Sequence, residues 1–160
     1  MTALVGARLN DTYSAATLAA SGKGFGLGDR YVNNLGNEFV FVQAASAIAQ
    51  YDTVFFTAAY AASSLGTAND ARGNLCGVAP VAFAANEYGW VQVKGPTTMN
   101  VKASCAANVR LNTTATAGSP DDDGTATTMQ IQGMYLTTAR GGTDGSAPGI
   151  LSYPFIDATL

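Results

Sequence analysis

Glu38-Phe39-Val40-Phe41-Val42-Gln43 (EFVFVQ) sets Phe39 and Phe41 in alternation with Val40 and Val42. Side chains of a β-strand alternate between two faces, so apolar residues in both phases predict a strand covered on both sides. Working outward, the same texture recurs. Tyr51–Thr57 (YDTVFFT) is rich in β-formers, and Leu75–Phe83 (LCGVAPVAF) reads as a strand whose Pro80 belongs at a sheet edge or bulge. Tyr88–Lys94 (YGWVQVK) sets Tyr88, Trp90 and Gln92 against Val91 and Val93. Gly95-Pro96 then predicts a turn, and Thr97–Ser104 puts Met99, Val101 and Ala103 on one face. Val109–Asn112, Thr127–Thr138 and Ile150–Ile156 complete the set. Ala44–Gln50 reads as a connector or a single helical turn. Tyr60–Gly73, Ala115–Gly124 and Arg140–Gly149 read as loops. Seven to nine short strands at near-regular spacing predict an all-β fold, a jelly-roll-like sandwich or a small β-barrel, over residues 38–160. No helix longer than two turns is expected. Alanine is the best helix former, so Ser14–Ala20, Ala44–Ala49 and Ala58–Ala62 are where a helix competes with that reading.

Residues 1–37 differ in kind. Gly22, Gly24, Gly26 and Gly28 fall within seven positions, which neither a helix nor a central strand tolerates. Single apolar residues are scattered among them, too many for a solvated disordered tail. The expectation is an extended N-terminal arm over 1–37, with Phe25, Leu27, Tyr31 and Leu35 as its anchors. Two courses satisfy that composition: an arm lying on another protein, or one folded back onto its own domain.

The 160 residues have room for one domain with a real core. Alanine supplies 29 of them; without it the apolar share drops from 48% to roughly 30%. Charged residues are only 12%, sparse for a soluble monomer, which points to a surface partly covered by other protein. A net charge of -3 without a basic cluster argues against nucleic acid as a direct partner. No apolar run approaches a membrane span, and MTALVGARLNDTY has no signal-peptide pattern. A reducing cytoplasm is the expected folding compartment, with Cys76 and Cys105 as small buried hydrophobes rather than a disulfide.

The chain contains no histidine, which removes Ser-His-Asp and Cys-His catalysis and His-ligated metal sites. Gly22-Lys23-Gly24 lacks the Ser or Thr, the preceding strand and the following helix of a phosphate loop. Asp121-Asp122-Asp123-Gly124 offers carboxylates to a calcium ion but lacks the distal Glu of a calcium loop, so a solvated turn is the default. Glu38 and Glu87, the two glutamates, are the available pair for glycoside hydrolysis, and nothing in the sequence brings them together. Trp90 with Tyr88 could stack on a sugar, but one Trp in an alternating strand more often serves a core or a subunit interface. The expectation is no catalytic residue, no metal site and no cofactor, with Trp90 joining the four arm residues as interface candidates.

Gly36-Asn37-Glu38-Phe39-Val40-Phe41-Val42-Gln43-Ala44 carries a Gly-x-Glu-Phe-x-[Phe/Tyr]-Val pattern and leads into Asp52-Thr53-Val54. Later, Gly77-Val78-Ala79 is followed by a small-residue turn and then Gly89-x-Val91-x-Val93-x-Gly95. These motifs, spread over roughly residues 36–112, resemble the capsid decoration (cement) proteins of tailed bacteriophages. The resemblance implies a β-rich homotrimer on the outer surface of an icosahedral virion, made in the host cytoplasm. It implies a terminal arm that bridges neighbouring major capsid subunits, and no catalytic residues. The alternative from a different class is a β-sandwich binding module, tail-associated or specific for carbohydrate or calcium, with Trp90, Tyr88 or Asp121–Asp123 as its site.

Overall fold

A computed structural model describes residues 7–67 and 72–159. Residues 1–6 of the expected arm and 68–71 of the expected Tyr60–Gly73 loop lie outside the described residues. Nine strands follow one short helix, α1 (Ala15–Ala20): β1 (Arg30–Val32), β2 (Glu38–Ala44), β3 (Thr53–Phe56), β4 (Ala61–Ser64), β5 (Leu75–Val78), β6 (Tyr88–Val101), β7 (Leu111–Asn112), β8 (Met129–Leu136) and β9 (Gly145–Thr159). The fold is all-β. Of the three alanine-rich segments only the first is helical. Ser14 caps it, accepting from the Thr17 amide at 3.1 Å, whereas the second leaves the end of β2 and the third leads into β4.

The pairings close a small barrel. β2 lies parallel to β4, β4 pairs β3, β3 pairs β5, β5 pairs β6, and β6 returns to β2. Its interior holds Val40 and Val42 of β2, Val54 and Phe56 of β3, Ala62 of β4, and Val91 and Val93 of β6. Burying such a side chain contributes about 1.5–3 kcal/mol. That packing stabilises a ring several of whose strands have only four residues. Gly77 of β5 fits because a Cβ there would stand 2.5 Å from Val91 Cγ1 and 2.6 Å from the Gln92 carbonyl oxygen.

Outside the ring the same nine-stranded sheet continues through β6, β9, β8 and β7, and this outer part encloses another core. Met99 and Val101, Leu111, Ile131, Met134 and Leu136, and Leu151 and Ile156 pack there against Phe55, Cys76 and Val78, which face outward from the barrel. The alternation of EFVFVQ is resolved: the valines fill the barrel, and Phe39 and Phe41 join Trp90 in a third, aromatic cluster.

Three segments depart from the sequence reading. Gly95-Pro96 is no turn. β6 runs through it, pairing with β2 up to Lys94 and with β9 from Lys94 to Val101. Gly95, at φ +99°, supplies a bend rather than a reversal. The buried Gln92 side chain braces it by donating to the Lys94 and Pro96 carbonyls at 3.1 and 2.8 Å. Tyr60–Gly73 contains β4, whose small residues slot between β2 and β3. Arg140–Gly149 contains the start of β9, because Pro148 and Gly149 are held opposite Thr98 and Thr97 of β6.

The described part of 1–37 takes the fold-back course. Tyr13 and Tyr88 exchange backbone hydrogen bonds at 2.8 Å, the Gly28 amide donates to the Phe41 carbonyl at 2.8 Å, and β1 pairs antiparallel with β2. The physical reason is the outward row Phe39, Phe41 and Trp90, which needs an apolar cover and receives it from Tyr13 and Phe25.

Candidate functional site

The five nominated interface residues fall into two groups. Phe25 and Trp90 are buried, and Tyr31 is half-buried. Their rings form one array: Phe25–Trp90 centroids lie 5.3 Å apart edge-on, Phe25–Phe41 5.4 Å and Tyr31–Trp90 6.0 Å. These spacings suit attractive aromatic pairs, so the three residues fasten the N-terminal segment to its own barrel. Trp90 is 0% exposed, which closes it to a sugar ring and removes the main residue of the carbohydrate alternative. Lys23 donates to the Tyr13 hydroxyl at 2.9 Å and lies over the Tyr13 ring, a packing role unrelated to phosphate.

Leu27 and Leu35 remain in solvent, Leu35 at 79% exposure, with Val32 beside them at 55%. Leu35 sits at the tip of the β1–β2 hairpin. Asn33 closes that tip with hydrogen bonds. The Asn33 side-chain oxygen accepts from the Leu35 and Asn37 amides at 3.0 Å, and the Asn33 carbonyl accepts from Gly36 at 3.0 Å. Gly36 takes φ +80°, the left-handed conformation that such a turn demands. The sequence marks Asn33 and Gly36 as turn formers but holds no sign that their turn aims a leucine outward.

A second exposed surface lies on the barrel wall. Leu75 of β5 stands opposite Phe155 of β9, and both are exposed, as is Tyr153. Beside them a groove of about 330 Å3 is lined by Arg30, Phe56, Val93 and Pro154, among others. Glu38 accepts from the Tyr153 hydroxyl at 2.6 Å and from Lys94 at 3.0 Å. The Tyr153 hydrogen bond, then Lys94, hold the Glu38 carboxyl below its ordinary range, and the same carboxylate raises Lys94. Glu87 instead accepts from the Ala84 amide at 2.8 Å in a turn, and its carbonyl bonds Ala44 at the far end of β2. That is six strand positions from Glu38, about 20 Å at the usual rise, whereas paired glycosidase carboxylates stand roughly 5–9.5 Å apart.

The third cluster is legible in the sequence only in part. Cys105 Sγ and a carboxylate oxygen each of Asp121 and Asp122 lie within 4.8 Å of one another. Burial, then the Asp122 charge, push the Cys105 thiol up to about 12, and burial raises Asp121. The Asp121–Gly124 run is therefore not a solvated turn throughout, since buried Cys105 of the β6–β7 connection lies against its first two residues. No disulfide joins Cys105 to Cys76. No helix among the described residues is long and apolar enough to cross a membrane. No family model matches this chain, and comparison with curated protein sequences finds no match.

Proposed function

We propose that this chain is a structural subunit of a tailed-phage virion, which decorates the outer surface of the icosahedral head and bridges neighbouring major capsid subunits. It acts as a homotrimer and performs no catalysis. The observation that carries the reading is the hairpin tip, which presents Leu35 to water on a turn too well bonded to collapse. A leucine held out in this way costs solubility and gains only when another surface covers it, by about 1.5–3 kcal/mol per copy. Such a gain is weak singly. Three linked copies multiply it through effective concentration. The sparse charge, the exposed Leu75, Tyr153 and Phe155, and the motif resemblance over residues 36–112 support the same reading.

The test is decoration of phage heads lacking this protein, read by co-sedimentation, together with the native mass in solution. The expected results are a mass of three chains and saturable binding that Leu35→Asp lowers at least about tenfold without changing the melting temperature. A monomer that ignores heads, or a Leu35→Asp variant that binds like the parent, overturns the proposal.

A further inference from the structure

We propose that Cys105, Asp121, Asp122 and Asn112 bind a thiophilic divalent cation, with Zn2+ the best-fitting ion. Two independent observations converge. The first is the donor set, one sulfur and two carboxylates within 4.8 Å of one another. Cys105 is buried at the base, and half-buried Asp121 and Asp122 lead out to solvent. The second is Asn112. It exchanges both backbone hydrogen bonds with Asp121, at 2.7 and 3.0 Å. Residues directly opposite in an antiparallel pair project their side chains to the same side. The Asn112 side chain therefore leaves the pair on the same side as that of Asp121, and its NH2 donates to the Asp122 carbonyl at 3.1 Å. Asn112 is 1% exposed, and its side-chain oxygen is one of two buried side-chain polar atoms, among the described residues, with no hydrogen-bond partner. A buried carbonyl oxygen is rarely left without a donor, and a cation supplies what it lacks.

Charge points the same way. Among the described residues no ion pair involves Asp121, Asp122 or Asp123, and the Lys102 ammonium is engaged by Asp144. The choice of ion follows from the sulfur. Calcium and magnesium take oxygen ligands, whereas zinc accepts thiolate and carboxylate together. On binding, the Cys105 S–H proton leaves to solvent as the sulfur–metal bond forms, with no change of oxidation state. The ion would tie the β6–β7 connection, which carries Cys105, to the β7–β8 connection, which carries Asp121 and Asp122.

The test uses the untagged full chain, which contains no histidine to compete. Co2+ added to reduced protein is expected to give a near-ultraviolet thiolate-to-cobalt absorption at one ion per chain. Zn2+ should bleach that band and raise the melting temperature, and millimolar Ca2+ should do neither. Cys105→Ser should abolish the band and Cys76→Ala should retain it. Asp122→Asn should weaken Zn2+ at least about tenfold with the metal-free melting temperature little changed. Failure of the parent protein to give the cobalt band overturns the proposal whatever the variants do. So does a band that survives Cys105→Ser, or Zn2+ displaced by Ca2+.

Discussion

Tyr153 bends β9 at φ +50°, outside the usual range for a tyrosine, and its hydroxyl reaches Glu38 across the barrel wall. The bonds that favour the Glu38 carboxylate give the pair a defined pH dependence. A carboxyl lowered in the fold from its ordinary 4.5 stabilises the protein above that value, and the contribution is lost as pH falls through the lowered value. Lys94 is raised above 10.5, so its contribution holds below that value and is lost on further rise. Glu38→Gln should therefore lower the urea midpoint at pH 7, and the gap from the parent should close as pH falls below about 4.5. A gap of constant size from pH 7 to pH 3 would assign Glu38 no charge-dependent role. At this scale the sequence is least informative. Phe25, Tyr31 and Trp90 read in sequence as surfaces for another protein, and in the structure Phe25 and Tyr31 pack over Trp90 of their own barrel. Composition demands that an aromatic be covered but does not say by which chain. Asn112 carries no signal in the sequence because its significance comes from the pairing with Asp121.

Elements are more legible where periodicity is strong. β2 and β8 fall where alternation puts them, β3 falls where β-forming residues cluster, and both covered faces of EFVFVQ have their partners. Local rules fail where tertiary contacts outweigh them. Gly95-Pro96 has turn chemistry, but partners on both sides of it, β2 before and β9 after, convert a reversal into a bend. The N-terminal segment shows the opposite case, an irregular sequence given order by a surface. Its packing rests on Tyr13 and Phe25, while α1 buries no residue. Phe25→Ala removes a ring whose loss typically costs about 3–5 kcal/mol in a core. That cost should appear as release of the segment rather than global unfolding. Trp90 emission should shift to the red and trypsin should cut faster at Lys23, with the far-ultraviolet circular dichroism unchanged. An unmoved Trp90 spectrum would show that the segment does not depend on Phe25.

On the scale of the whole molecule, all-β character is readable from spacing, but ring closure is not. Closure depends on the parallel β2–β4 pair, and β4 lies in a stretch of Ala and Ser with no strand signal. The barrel and the outer sheet are not separable units, because β6 belongs to both and Phe55, Cys76 and Val78 connect the cores. Unfolding in urea should thus be a single event, with Trp90 fluorescence, which reports the barrel flank, coinciding with circular dichroism, which reports every strand. Two resolved transitions would refute that coupling. The fourteen residues of β6 act as a spar. Tension applied along it loads the ladders to β2 and β9 in shear, so many hydrogen bonds must break together instead of unzipping in turn. A molecule built around such a member should resist stretching along that strand far better than across it, because only the first direction sets both ladders against the load at once.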